Sequence, residues 1–193
     1  MTKINQTDLN IFYLIIYILC VLFLCYCTFS LATDYQNNES RSHVSFIIWT
    51  IDTIDLFIHE TGHLVFGVFG RFVGFLGGSL FQIIIPLSTV IVFGRSSVKS
   101  LPFTLYWTGQ STVNVSIYIG DAPYLRLHLI SRSAIHDWRW LLNNLGLINQ
   151  AENIAFTVSI IGLLTCLAGI GLGFYFIYQS LLKFISPDHI SSQ

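Results

Sequence analysis

Charge is what this chain has least of. Only 10% of its 193 residues are Asp, Glu, Lys or Arg, against about 25% in an ordinary soluble domain. Hydrophobic residues make up 53% and the mean hydropathy is +0.67. Such a chain reads as an integral membrane protein, and its length as a single unit embedded in the lipid bilayer. A basic surplus is also missing. With a net charge of −1 and no polybasic tail, nucleic-acid binding and an electrostatic grip on anionic lipid are both excluded. Cysteine is sparse and unpaired in spacing. Cys20, Cys25 and Cys27 fall in the first apolar run and Cys166 in the last. In hydrocarbon these behave as small apolar residues, which excludes a zinc ribbon and argues against a structural disulfide. No internal repeat or low-complexity segment stands out, and the length leaves no room for a soluble domain beside the apolar runs.

What is present is a succession of those runs. Residues 11–32 carry no charge and are long enough to cross a ~30 Å hydrocarbon core as a helix. Ser30-Leu31-Ala32 has the small-residue look of a signal-peptidase site, but the run exceeds the length of a signal h-region and reads as an uncleaved anchor. A polar loop follows, with the formal glycosylation sequon Asn38-Glu39-Ser40. Further spans are expected near 44–69, 79–94, 101–120 and 153–182, with a polar interfacial segment over 121–152. The glycine-rich stretch 74–79 reads as a break between the second and third spans. The fourth run carries Gln110, Ser111, Thr112, Asn114 and Ser116, so its neighbours should shield it. Trp138, Trp140, Leu141 and Leu142 suggest a short interfacial helix. The expected fold is all-α, a polytopic transmembrane helix bundle of about five spans, with four to six open. Basic residues divide five against four between the two sides on that count, which leaves orientation undecided.

The second run holds the chemistry. His59-Glu60-Thr61-Gly62-His63 is an H-E-x-x-H pattern. On a helix, residues four apart share a face, so His59 and His63 can hold one Zn²⁺ while Glu60 acts as general base on a water there. Six histidines and three glutamates in this length would give the pattern by accident roughly 0.3% of the time. Histidines and a carboxylate are costly inside a membrane and mark a functional site by default. Asp52, Asp55, His59 and His63 fall along one helical stripe, and the other faces are apolar, so the stripe faces a bundle interior or a wet cavity. Gly62, Gly67 and Gly70 would let another element approach closely.

Catalytic zinc usually takes three protein ligands. Asp121 and His136 are the leading candidates for the third, ahead of His128 and then of His43 and His189. Each has a plain alternative, Asp121 as a loop cap before Ala122-Pro123 and His136 as a solvated interfacial residue. Asp137 could support a ligand from behind. Asp55, one turn before His59, could accept the N–H of its non-ligating nitrogen.

The five residues at 59–63, on an apolar helix of a small polytopic chain, resemble the site-2-protease-like intramembrane zinc metallopeptidases, which favour glycine just before the second histidine as here. That family takes its third ligand from an aspartate in an Asn-Pro-rich Leu-Asp-Gly element on a later span. Asn114 and Asp121 have a comparable spacing, without the intervening prolines or the glycine after the aspartate. The resemblance covers residues 55–63 well and 114–121 loosely. It implies hydrolysis of peptide bonds in a membrane-embedded or membrane-proximal protein or peptide substrate. Asn114 or Gln110 would then stabilise the oxyanion. Two other readings stand beside it: a non-catalytic zinc-binding scaffold or sensor, and a zinc-dependent membrane hydrolase acting on something other than a peptide. The sequence leaves a homo-oligomer open, and the host membrane is expected to be a cell or inner membrane.

Overall fold

In the computed structural model, which describes residues 6–34, 46–127 and 135–185, all regular structure is helical. Six α-helices follow in order: α1 (Gln6–Asp34), α2 (Phe46–Phe66), α3 (Arg71–Ser96), α4 (Leu101–Asp121), α5 (Asp137–Asn144) and α6 (Ala151–Ile185). Single 3₁₀ turns precede α3, α4 and α6. His43, His128, His189 and the sequon at Asn38 lie outside the described residues.

α1, α3 and α6 are long and apolar enough to cross a membrane. α2 and α4, of 21 residues each, have the length but not the apolarity. Their polar groups face inward instead. α4 is the most enclosed helix, with Thr104, Thr108, Gln110, Ser111, Thr112 and Ser116 all buried. This is the shielding that its composition called for. It packs along α6 at glycine crossings, where Gly109 faces the Gly162 carbonyl and Gly169 faces that of Pro102. One apolar cluster joins Leu24, Cys27 and Leu31 of α1 to Tyr106, Cys166 and Ile170, and a second joins Val115 and Ile119 to Leu142 and Ala151. All four cysteines are free.

α2, α3, α4 and α6 alternate in direction. α1 breaks the alternation: Tyr17 meets Lys99, Val21 meets Gly173, and Leu31 reaches the Tyr106 cluster. It therefore runs parallel to α4, not antiparallel to α2 as five successive spans would require.

The expected break at 74–79 is a further correction. Gly74, Gly77, Gly78 and Ser79 are buried inside α3, and the chain reverses earlier, at Gly67–Gly70, where Gly70 takes φ +102°. These glycines mark close packing. A Cβ on Gly62 would lie 2.4 Å from the Gly77 carbonyl oxygen, and one on Gly74 would lie 3.2 Å from the Gly67 Cα. The α2–α3 hairpin is thus held backbone against backbone.

Candidate metal centre

The end of that hairpin carries His59 and His63, one helical turn apart on the face of α2 turned toward α3, with ring centroids 4.8 Å apart. Across from them stands Asp137, the first residue of α5. Its Oδ2 lies 3.0 Å from His59 Nε2 and 3.2 Å from His63 Nε2. These three side chains form a group that could hold a metal ion, with one ligand atom from each and all within 4.8 Å of one another.

The outer nitrogens are anchored. His63 Nδ1 donates to the Gly74 carbonyl at 2.8 Å, and His59 Nδ1 sits 3.1 Å from Gln82 Oε1. A neutral imidazole that donates through Nδ1 turns a lone pair outward at Nε2. The two Nε2 atoms and a carboxylate oxygen converge on one point, an arrangement that could hold a cation. Gly78 of α3 packs close against both rings. A Cβ on Gly78 would come within 2.6 Å of His59 Nε2 and 2.7 Å of His63 Nε2. Only glycine leaves that side of the group open.

Asp137 is held from several directions. The Tyr118 hydroxyl donates to its Oδ2 at 3.2 Å and accepts its backbone N–H at 3.1 Å. Burial raises the carboxyl, but the adjacent imidazoles more than offset it and hold it down at about 2. The rest of α5 is clamped onto α3. Trp138 Nε1 donates to Ser79 Oγ at 2.9 Å, Trp140 stacks on Phe75 at 4.5 Å, and the Arg71 guanidinium lies 5.0 Å over the Trp140 ring. A short helix does form where one was expected, and its tryptophans secure it over the site.

Glu60 is half-buried and lines a cavity of about 450 Å³ together with His63, Asp137, Tyr118 and Arg71. Gly67, Gly70 and Gly74 form part of its wall, so it opens beside the α2–α3 turn.

The remaining sequence candidates fall elsewhere. Asp121 and His136 are not the residues brought to the histidine pair. They face each other, His136 Nε2 3.4 Å from Asp121 Oδ2. Asp121 accepts the backbone N–H groups of Arg126 and Leu127, and His136 Nδ1 accepts that of Arg139. Asp121 is therefore the loop cap and His136 the helix cap. Burial pulls the His136 imidazole below its ordinary range, against the pull of Asp121 and Asp137. Asp137, expected behind a ligand, stands in the candidate group itself and offers a carboxylate oxygen as the third atom there. Asp55 does not touch His59; it accepts from Trp107 Nε1 at 3.0 Å and Ser111 Oγ at 2.8 Å. Gln110 and Asn114 both donate to Asp52 Oδ1, at 2.7 and 3.0 Å, and are not aimed at the cavity as oxyanion donors. Gln82, Gly78 and Tyr118 had no motif to announce them. Tyr118 sits one turn beyond Asn114 on the polar face of α4, the nearest thing to a signal.

Comparison with protein-family models, with curated proteins and with solved structures finds no match to this chain.

Proposed function

We propose that the protein is a multi-pass intramembrane zinc metalloprotease of site-2-protease-like character, with His59, His63 and Asp137 as zinc ligands and Glu60 as general base. The observation that carries this reading is the convergence of His59 Nε2, His63 Nε2 and Asp137 Oδ2 beside a cavity that Glu60 lines. Two imidazoles and one carboxylate, with a position left for water, are a donor set that suits catalytic zinc. In this reading α2, α3, α4 and α6 cross the bilayer, and α1 is an additional apolar helix against α4 and α6.

Zinc bound there would supply a Lewis acid that brings the pKa of a water toward 7. Glu60, on the cavity wall, would act as general base, accepting a proton from a water there and returning it to the leaving amine. Tyr118 and the α5 clamp keep Asp137 in place through the reaction. The cavity lies where α2 ends and α3 begins, at one end of the bundle. The substrate is accordingly a peptide segment near the membrane border, locally unwound, because a helix hides its carbonyls.

The test uses full-length protein purified in detergent, with zinc stoichiometry measured alongside cleavage of membrane-inserted peptides by mass spectrometry. Wild type should hold one zinc, and Glu60→Gln should keep it while losing cleavage. Asp137→Ala should lose the metal, whereas Asp121→Ala should retain it. A wild-type preparation without zinc, or a Glu60→Gln variant that still cleaves, removes the proposal.

A further inference from the structure

Behind His59 runs a line of hydrogen bonds that leads away from the metal centre to a carboxylate on the same helix. His59 Nδ1 meets Gln82 Oε1 at 3.1 Å, Gln82 Nε2 donates to Asn114 Oδ1 at 2.9 Å, and Asn114 Nδ2 donates to Asp52 Oδ1 at 3.0 Å. Three helices contribute to it: α2 at both ends, α3 through Gln82 and α4 through Asn114.

A primary amide in such a chain could point either way, and reversing both amides would preserve the hydrogen bonding between them. The far end removes that freedom. Asp52 Oδ1 accepts from both Asn114 and Gln110, so Asn114 turns its NH₂ toward Asp52 and its oxygen toward Gln82. Gln82 must then offer its own NH₂ to Asn114 and its oxygen to His59. With a cation held between Nε2 and Asp137, His59 is left one option, which is to carry its proton on Nδ1, facing Gln82, and present Nε2 as a lone pair. Gln110 donates to Asp52 from the other side and helps to fix it.

We infer that Asp52, acting through Asn114 and Gln82, is a positioning residue that sets the tautomer of His59 for metal ligation. The inference rests on the metal-centre reading above. It gives a role to a carboxylate two helical turns before the histidine that is held by the side-chain amides of Gln110 and Asn114. His63 obtains the same tautomer from a backbone carbonyl, which is an acceptor in any orientation. Only His59 needs a side chain to be told which way to face. Outer partners of metal-binding histidines typically change metal affinity 10–100-fold.

Moving the negative charge along the line tests this directly. The probes are Zn²⁺ affinity, Co²⁺ d–d absorption and ¹⁵N chemical shifts of the histidine rings, all on full-length protein in detergent. Asp52→Asn should weaken Zn²⁺ binding about 10–100-fold. Gln82→Glu places an obligate acceptor directly on Nδ1 and should bind at least as tightly as wild type. The double variant Asp52→Asn/Gln82→Glu should regain the affinity that Asp52→Asn lost. A purely structural role for Asp52 predicts the opposite: the double variant would stay as weak as Asp52→Asn, which overturns the inference. So does an Asp52→Asn variant with wild-type Zn²⁺ affinity. Should Asp52→Asn not fold, Gln82→Met removes the acceptor alone, and unchanged Zn²⁺ affinity in that variant is equally fatal. Wild type that binds no Zn²⁺ is a different outcome, because it refutes the metal centre as well.

Discussion

At the level of single residues, Gly78 is as informative as the histidines. Its missing side chain leaves open the side of the site where the two Nε2 atoms point. Gly78→Ala should suit the backbone, since alanine in a helix interior is favoured over glycine by roughly 0.5–1 kcal/mol. The added methyl group instead collides with imidazole ends, which must swing aside and lose their common focus. The variant is expected to melt at or near the wild-type temperature in metal-free buffer while losing stoichiometric zinc. Full zinc occupancy in Gly78→Ala would show that the cation, if one binds, sits elsewhere. Half of this site could be read from the sequence and half could not. His59, Glu60 and His63 lie within five residues, and a helix places their spacing automatically. Asp137 lies far along the chain and joins them only through tertiary packing. Asp121 and His136 looked as eligible because composition cannot tell which acid or imidazole caps a loop and which faces the pair.

Among the elements, α5 decides whether the site is complete, because it delivers Asp137. An eight-residue helix has little stability of its own, so its position depends on Trp138 and Trp140 against α3. The Trp140–Phe75 stack is worth about 0.5–1.5 kcal/mol beyond area burial. Trp140→Ala should therefore loosen α5 and weaken zinc binding by about tenfold, which corresponds to ~1.4 kcal/mol. Backbone hydrogen exchange should rise at Trp140 and Leu145, whose amides bond to His136 and Leu141. Trp140→Phe should restore most of the protection. Unchanged exchange and unchanged affinity in Trp140→Ala would mean that Asp137 is fixed by Tyr118 alone. The short helix was visible in the sequence as a run of tryptophan and leucine, but a similar pattern suits a helix lying on a membrane surface. The glycines at 74–79 were ambiguous in the same way. In a water-soluble loop they would mark a turn, whereas on a helix among helices they mark the closest approach to a neighbour, here α2.

For the molecule as a whole, the apolar helices were legible from hydropathy, while their directions were not, because a hydropathy run carries no direction. The turn at Gly67–Gly70, the end of α4, α5 and the start of α6 gather at one end of the bundle; the turn between α3 and α4 lies at the other. If α2, α3, α4 and α6 cross the bilayer, Val68 and Asn143 must face the same aqueous side and Ser97 the opposite one. All three residues are exposed, and single cysteines can be placed there without touching the candidate ligands. Cys27 and Cys166 are buried and should stay silent toward a membrane-impermeant maleimide. Cys20 and Cys25, half-buried on the apolar α1, would be replaced by alanine as a precaution. In sealed vesicles, Val68→Cys and Asn143→Cys should label together, from the side on which the cavity lined by Glu60 opens, and Ser97→Cys only after the vesicles are permeabilised, or the reverse for inverted vesicles. Labelling of Val68→Cys and Ser97→Cys from the same side would mean that α3 does not cross. The cavity would then open onto a bundle lying along the membrane surface, and an intramembrane substrate would lose its physical basis.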